Sequence, residues 1–265
     1  MADRISGIEH LPASAPPTSG APEPVVYLEW DSGFFGRRIA RVCGHYLSDD
    51  LLPAILAWCS AQQIDCLYFL AAADDPRTIR LAERNAFDFV DIRATFERSL
   101  DGLPEEASGI RSARQDDLPH LKRITGRSFA DSRFYYDLHF DRTRCDELYA
   151  AWIERSFQGY ADCVLVADLN GEAAGYITCC LSPSQTGSIG LIAVDPKSQG
   201  RGIGQRLLVS ALHYFRDHGM SSGTVVTQGR NIKSQRLYQR YGFRTQSVGL
   251  WFHRWFPSPI ATHRP

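Results

Sequence analysis

Several features that would indicate a secreted, metal-binding or membrane protein are missing from this sequence. The 265 residues include seven cysteines, an odd number, and no two of them form a Cys-x-x-Cys pair. An odd set in mostly apolar segments favours reduced thiols over a disulfide framework or a zinc site. No run approaches the ~20 apolar residues that a membrane helix needs, and residues 1–24 lack the apolar core of a signal peptide. We therefore expect a cytoplasmic protein without a bound metal.

The net charge is also small, and the common nucleotide-binding motifs are absent from the glycine-rich turn. The formal net charge is −1, which gives no electrostatic case for a nucleic-acid or membrane partner. The glycine-rich turn at 199–204 contains neither a Gly-Lys-Ser/Thr phosphate loop nor a Gly-x-Gly-x-x-Gly dinucleotide fingerprint. If that turn binds an anion, it belongs to another class of site.

The sequence pattern predicts two folded units. An apolar content of 44% and a charged content of 22% are ordinary for a globular protein. We expect a disordered tail over 1–24, a small α/β domain over 25–100, a linker over 101–109, a second domain over 110–256 and a short tail over 257–265.

Apolar periodicity predicts the elements of each unit. In the first unit these are a strand at Arg38–Cys43, a helix at Asp49–Gln62, a strand at Cys66–Ala72, a helix at Pro76–Asn85 and a strand at Phe87–Leu100. In the second they are helices at 116–125 and 144–157, strands at 161–168 and 172–182, a strand at 187–194, a helix at 202–218, a strand at 223–227, a helix at 231–241 and a strand at 244–255. The dipeptide Asn170-Gly171 predicts a type I′ hairpin turn between the two strands that flank it.

The glycine-rich turn lies between an apolar strand and an amphipathic helix. The first N–H groups of a helix have no intrahelical acceptor and can bind an anion, while glycines let a phosphate approach the backbone closely. The alternative is a tight helix entry that needs glycine for geometry alone.

A second segment begins at Asn231. Ser234 and Tyr238 follow at intervals of three and four residues, which places them near one helix face, and Gly242-Phe243 closes the segment. Asn231 also fits a helix N-cap, and Tyr238 also fits a core aromatic residue.

Together these two segments resemble motifs of the GCN5-related N-acetyltransferases, the GNAT superfamily. The first is Gln/Arg-x-x-Gly-x-Gly/Ala after a strand, and the second, about thirty residues later, is Asn-x-x-Ser/Ala-x-x-x-Tyr. The resemblance covers residues 110–255. It implies an α/β (α+β) fold with a mixed, mostly antiparallel central sheet, and acetyl-CoA as cosubstrate.

The same resemblance implies roles for individual residues. Tyr238 would protonate the leaving thiolate as the general acid. The expected cofactor-binding residues are Leu191, Ile192, Ala193 and Val194 through their backbone, Gln199, Gly200, Arg201, Gly202, Ile203 and Gly204 at the diphosphate, and Asn231 and Ser234 along the pantetheine arm.

Three further segments resemble the dTDP-fucosamine acetyltransferases, namely Glu29–Gly36, Ser132-Arg133-Phe134 and Thr227–Asn231. These enzymes also carry a small N-terminal α/β domain. The resemblance implies a nucleotide-sugar acceptor, a dTDP-linked 4-amino-4,6-dideoxyhexose, whose primary amine is acetylated. The expected acceptor-binding residues are Arg133, Phe134, Tyr135 and His139, with Arg127 and Arg142 as further cations for the phosphates.

The sequence leaves several alternatives open. A water chain ranks first as the route for the amine proton, and the side-chain candidates are His139, Asp131, Asp137 and His213. The acceptor could instead be a protein N-terminus, a lysine or another small amine, and the chain could be a non-catalytic acyl-CoA-binding module. The aromatic final strand, with Trp251, Phe252 and Trp255, could pair across a homodimer or pack in the core.

Overall fold

A computed structural model describes residues 23–106, 108–129 and 132–257. The predicted tails at 1–24 and 257–265 lie outside these ranges except for residues 23, 24 and 257, and so does Asp131. No helix formed by the described residues is long and apolar enough to cross a membrane.

The described residues form ten strands and eight α-helices. The strands are β1 (Val25–Tyr27), β2 (Ile39–Val42), β3 (Cys66–Ala72), β4 (Asp88–Ser99), β5 (Ile110–Ser112), β6 (Cys163–Leu169), β7 (Glu172–Leu181), β8 (Thr186–Val194), β9 (Ser222–Gln228) and β10 (Arg244–Trp255). The helices are α1 (Glu29–Phe35), α2 (Leu51–Ala61), α3 (Pro76–Arg84), α4 (Leu118–Ser128), α5 (Arg133–Tyr136), α6 (Arg142–Arg155), α7 (Ile203–Asp217) and α8 (Ile232–Arg240).

Local sequence signals explain most of these boundaries. Asp75 caps α3 by accepting hydrogen bonds from the N–H groups of Arg77 and Thr78, as an N-terminal aspartate favours. The turn between β6 and β7 has positive φ at Asn170 (56°) and at Gly171 (88°), which a type I′ hairpin requires. Helix α1 was not expected, because its seven residues are too few to show a helical period.

All ten strands belong to one sheet, in the order β1-β2-β3-β10-β4-β9-β8-β7-β6-β5. Seven of the nine pairings are antiparallel, and β2–β3 and β8–β9 are parallel. The expectation of a mixed, mostly antiparallel sheet is confirmed.

The sheet joins the two predicted units. Strand β4 precedes the predicted linker in the chain, yet it lies between β9 and β10, which both come from the second unit. Its 12 residues bury Val90 on one face and Phe96 on the other, as a strand covered on both sides must. The segment 101–109 therefore separates two parts of the chain without separating two sheets.

Helices cover both faces of the sheet. On one face, α4 and α6 pack with Leu191 and Ala193 of β8, and the aromatic residues of α1 and α5 extend this core to β3 and β10. On the other face, α7 packs against β4 and β6–β9, while α2 and α3 pack near β1–β3. Each large apolar side chain buried in this way contributes about 1.5–3 kcal/mol. This packing positions β8 and α7, where the candidate site lies.

Candidate active site

Strands β8 and β9 pair along only part of their length. Their pairs run from Thr186–Ser222 to Ile189–Val225, and both strands then continue without further pairing to each other among the described residues. The two strands separate beyond that point and open a gap in the sheet.

A bulge marks the start of the gap on the β7 side. Thr178 Oγ1 accepts a hydrogen bond from the N–H of Leu191 at 2.7 Å, and the β7–β8 register shifts between Ile177 and Cys179. A Cβ atom at Gly190 would lie 2.6 Å from that same oxygen, so the close approach requires glycine.

The bulge decides which N–H groups of β8 face the gap. The N–H of Leu191 bonds Thr178, and that of Asp195 donates to the carbonyl oxygen of Ala174 at 2.9 Å, so both point towards β7. Successive N–H groups of a strand point to opposite edges. The N–H groups of Ile192 and Val194 are therefore directed into the gap, where they can donate to a ligand.

The gap is part of a groove of about 660 Å³. It brings together all but one of the predicted cofactor-binding residues and the predicted catalytic tyrosine. The predicted residues that line it are Leu191, Ile192, Ala193, Val194, Gln199, Gly200, Gly202, Ile203, Gly204, Asn231, Ser234 and Tyr238. Arg201 is exposed and does not line the groove.

The N-terminus of α7 provides a ready anion site at one end of the groove. The first N–H of the helix to bond within it is that of Arg206, at 3.1 Å from the carbonyl oxygen of Gly202. The N–H groups of Ile203 and Gly204 have no intrahelical acceptor, and the helix dipole adds positive potential there. Gly202 has a φ of 73°, which allows the tight turn into the helix. A diphosphate fits this arrangement.

Helix α8 forms the opposite wall. Asn231 Oδ1 accepts a hydrogen bond from the N–H of Ser234 at 3.2 Å, so its N-cap role is real and its Nδ2 group remains a donor. Lys233 Nζ donates to Gln199 Oε1 at 2.9 Å and ties the helix to the glycine-rich turn.

Three cationic side chains on α8 line the groove but were not predicted from the sequence as site residues. Lys233, Arg236 and Arg240 line the groove at intervals of three and four residues, and such spacing places side chains on one helix face. The intervals were visible in the sequence, but helices often carry such charges on a solvated face. Here they add positive charge to the wall of the groove.

Tyr238 lies at the base of the groove with only 2% of its surface exposed. Its ring packs against Phe96 and Phe243 at centroid distances of 6.0 and 5.9 Å. Burial raises the pKa of the Tyr238 phenol, and a hydrogen bond with Ser234 opposes the rise only in part. The phenol therefore keeps its proton at neutral pH and can act as a proton donor.

The groove also has aromatic lining that was not predicted. Phe129 stacks on Tyr149 at 4.4 Å, and Tyr149 meets Trp152 edge-on at 4.9 Å. Trp152 Nε1 is buried and has no hydrogen-bond partner among the described residues. These side chains come from α6 and from the segment after α4, which are distant from β8 in the chain, so only tertiary packing brings them to the groove.

The predicted acceptor residues Arg133, Phe134 and Tyr135 lie outside the groove. All three are buried, and the guanidinium group of Arg133 stands over the ring of Trp251 at 4.2 Å. The aromatic stretch around α5 fills the core between α6 and β10, because its rings bury more favourably than they line a polar pocket. Their role in acceptor binding stays a prediction.

His139 also lies away from the groove. Its ring stacks on Trp255 at 4.6 Å, and its Nδ1 lies 2.9 Å from Asp137 Oδ1. Asp137 accepts further hydrogen bonds from His253 Nδ1 at 2.6 Å and from Trp255 Nε1 at 2.8 Å. Burial by itself would raise the pKa of Asp137, but these hydrogen bonds and the charge of His253 hold it well below its usual range.

Three of the four candidate bases are therefore held in structural networks. His139 and Asp137 belong to the network just described. His213 is buried at 7% exposure, and its Nε2 lies 2.8 Å from the carbonyl oxygen of Pro104. None of the three side chains lines the groove.

Comparison with known proteins agrees with this geometry. Residues 128–243 match the family model of the Acetyltransferase (GNAT) family. A dTDP-fucosamine acetyltransferase of Escherichia coli O6:H1 is 26% identical over 229 residues, which cover 86% of this chain and 96% of that protein. The Spore coat polysaccharide biosynthesis protein SpsD of Bacillus subtilis is 31% identical over 128 residues, which cover 48% of this chain and 44% of that protein.

Solved structures show the same fold. A GCN5-related N-acetyltransferase from Sphaerobacter thermophilus superposes with a TM-score of 0.58 at 16% identity, covering 82% of this chain and 72% of that one. The fold is thus similar to a known architecture over 82% of this chain.

Proposed function

Because this chain belongs to the GNAT acetyltransferase family through residues 128–243 and is an acetyl-CoA-dependent N-acetyltransferase, we propose that its acceptor is a nucleotide-linked amino sugar. The amine would be that of a dTDP-linked 4-amino-4,6-dideoxyhexose. The observation that carries this proposal is the match to dTDP-fucosamine acetyltransferase over 96% of that protein's length. A match of that extent includes both the groove and the strands before the linker.

The structure supports this acceptor through a wall of alternating aromatic and cationic side chains. The guanidinium group of Arg155 lies 4.8 Å from the ring of Trp30 and 5.0 Å from the ring of Tyr160. Trp30 in turn lies 6.4 Å from Trp152, which lines the groove. Aromatic faces bind bases and sugars, and arginine binds phosphate oxygens. Arg155 would add a further cation to Arg127, Arg133 and Arg142, which the sequence suggested for the acceptor phosphates.

The acetyl donor, acetyl-CoA, binds in the groove. Acetyl-CoA supplies the acetyl group as a thioester. The N–H groups at the start of α7, with Lys233 and Arg236 nearby, hold its phosphates. The N–H groups of Ile192 and Val194 hold the pantetheine arm and the acyl oxygen, where negative charge develops in the transition state.

The leaving group is the thiolate of CoA, and Tyr238 protonates it. Tyr238 Oη keeps a proton in an apolar pocket and donates it to the sulfur as the C–S bond breaks. Asn231 Nδ2 orients the pantetheine arm so that the sulfur faces Tyr238. Holding amine and thioester together in this groove accounts for much of the rate enhancement that such an enzyme needs.

A direct assay of acceptors tests the proposal. Release of free thiol from acetyl-CoA is measured with dTDP-4-amino-4,6-dideoxygalactose, with spermidine, and with a peptide that has a free N-terminus and one lysine. We expect kcat/KM to be about 100-fold or more higher for the sugar nucleotide, because its phosphates and base add contacts that simple amines lack. A preference for the peptide or for spermidine would contradict the proposal.

A further inference from the structure

A polar strip crosses the sheet on the face that carries α6. Ser188, Thr224 and Glu97 are direct neighbours on β8, β9 and β4. Phe96 packs in the core beneath α7, and successive side chains of a strand point to opposite faces. Glu97 and Thr95 therefore point away from α7, towards the α6 face.

The strip lies next to the start of the gap between β8 and β9. Ser188 comes two residues before Gly190, where the bulge begins. With strands about 4.8 Å apart, β4 lies about 10 Å from β8. An acyl group at the bulge and a glutamate side chain on β4 can both reach an amine placed between them.

The Ser188 end of the strip is bordered by Cys180 and Tyr160. Cys180 pairs with Ser188, and its thiol donates a weak hydrogen bond to the carbonyl oxygen of Tyr160 at 3.8 Å. Tyr160 carries the guanidinium group of Arg155 over its ring. The Trp30–Arg155–Tyr160 cluster therefore lies next to the Ser188 end of the strip.

Glu97 is the carboxylate of this polar strip. It is half-buried, as are Thr224 and Ser188, so solvent and small molecules reach it. Gln246 Nε2 donates to Glu97 Oε2 at 2.7 Å, which fixes one oxygen and leaves Oε1 as an acceptor. Arg244 is its register partner on β10, but no described cation lies within ion-pair distance of Glu97.

We propose that Glu97 binds the amino group of the acceptor and takes its proton. This inference rests on the proposed function, and it fills the role that the sequence left to a water chain or to other side chains. Glu97 accepts a hydrogen bond from the amino nitrogen and turns its lone pair towards the acyl carbon. As the C–N bond forms, the nitrogen loses one proton to Glu97. As the C–S bond breaks, the sulfur gains one proton from Tyr238, and solvent restores both residues.

The test compares Glu97→Gln with Glu97→Asp and with Glu83→Gln as the matched control. Glu83 is an exposed glutamate on α3, on the opposite face of the sheet. With dTDP-4-amino-4,6-dideoxygalactose, we expect Glu97→Gln to lower kcat/KM about 10²-fold or more, Glu97→Asp to lower it less, and Glu83→Gln to leave it unchanged. The affinity for acetyl-CoA, measured by calorimetry, should stay at the wild-type value in all three.

A second measurement separates amine recognition from a general loss of structure. A dTDP-4,6-dideoxyhexose carries a hydrogen in place of the amine and serves as a competitive inhibitor. In Glu97→Gln the KM of the amino sugar should rise about 10-fold while the inhibition constant of this deoxy sugar stays close to wild type, because only the amine donates a hydrogen bond to the carboxylate. A merely structural role would change both constants together.

Each remaining outcome is decisive. Wild-type kcat/KM in Glu97→Gln overturns the assignment, and so does a parallel loss of acetyl-CoA affinity. If the wild-type enzyme does not acetylate the dTDP-sugar, the proposed acceptor class is wrong, and the comparison is made with spermidine and the lysine peptide. Turnover of those amines by Glu97→Gln at the wild-type rate would then overturn the role of Glu97 independently of the acceptor class.

Discussion

At the scale of single residues, burial decides which groups can act as acids. Tyr238 is buried beside the groove, and burial raises the pKa of its phenol. Tyr241 follows α8 and shapes the end of the helix through its N–H group. The two tyrosines differ by three positions, but only Tyr238 lines the groove among the described residues.

We expect Tyr238→Phe to lower kcat by about 10²–10⁴-fold, because the thiolate then leaves without a general acid. The affinity for acetyl-CoA should change little, since the phenyl ring keeps the packing volume. Steady-state kinetics and calorimetry measure the two quantities. Tyr241→Phe is the control and should retain kcat. A larger loss in Tyr241→Phe than in Tyr238→Phe would contradict the assignment.

A second residue-scale prediction concerns Asp31 on α1. Burial raises the pKa of Asp31 to about 6, against the charges of Arg133, Arg155 and Arg41, and its Oδ1 has no hydrogen-bond partner among the described residues. A raised pKa in the folded state means that the fold favours the neutral acid. Its contribution to stability is complete below the unfolded value near 3.8 and is lost as the pH rises through 6.

Asp31→Asn, which stays neutral, should therefore become more stable relative to wild type as the pH rises from 4 to 7. The shift corresponds to at most about 3 kcal/mol in the free energy of unfolding. Urea unfolding at pH 4, 5.5 and 7 measures it, with Asp49→Asn on the exposed loop before α2 as the control. A difference between variant and wild type that does not change with pH would show that Asp31 ionises freely in the folded protein.

At the scale of elements, the glycine-rich turn and α7 could be predicted because their signals are local. A strand, glycines at fixed spacing and an amphipathic helix follow each other within about 30 residues. The acceptor side could not be predicted in this way. Glu97, Thr224 and Ser188 are far apart in the chain, and only the strand order β4-β9-β8 makes them neighbours. For the same reason, the burial of Phe134 and Tyr135 of α5 could not be predicted, because the helices and strands that cover them are distant in the chain.

The start of α7 supplies an element-scale prediction. Gly204 has room for a side chain, since a Cβ atom there would make only ordinary contacts at 3.8 Å with Leu237 and Val194. Gly204→Glu should keep the fold but place a carboxylate where the diphosphate binds, so acetyl-CoA affinity should fall about 100-fold or more. Gly204→Ala is the control and should bind nearly as well as wild type. Calorimetry on folded protein, checked by circular dichroism, would contradict the diphosphate site if Gly204→Glu binds normally.

At the scale of the whole molecule, one sheet connects both sides of the predicted linker. Removing residues 1–106 would take β4 from between β9 and β10, together with β3 on the other edge of β10. Strand β9 would become an exposed edge, and Phe96 would leave the packing around Tyr238. The structure therefore does not support an acetyl-CoA site carried by residues 110–265 alone.

We expect a fragment of residues 107–265, expressed alone, to aggregate or to bind no acetyl-CoA, because unpaired central strands are prone to association. The matched control is the same fragment co-expressed with residues 1–106. The cut precedes residue 107, between β4 and β5, where the flanking Glu106 and Ser108 are exposed, so every strand pairing of the intact chain can still form. Co-purification of the two fragments and calorimetric titration with acetyl-CoA measure the outcome. The co-expressed pair should bind acetyl-CoA with an affinity close to that of the intact chain. Binding by residues 107–265 alone would show that β4 is dispensable and that the two predicted units are independent domains after all.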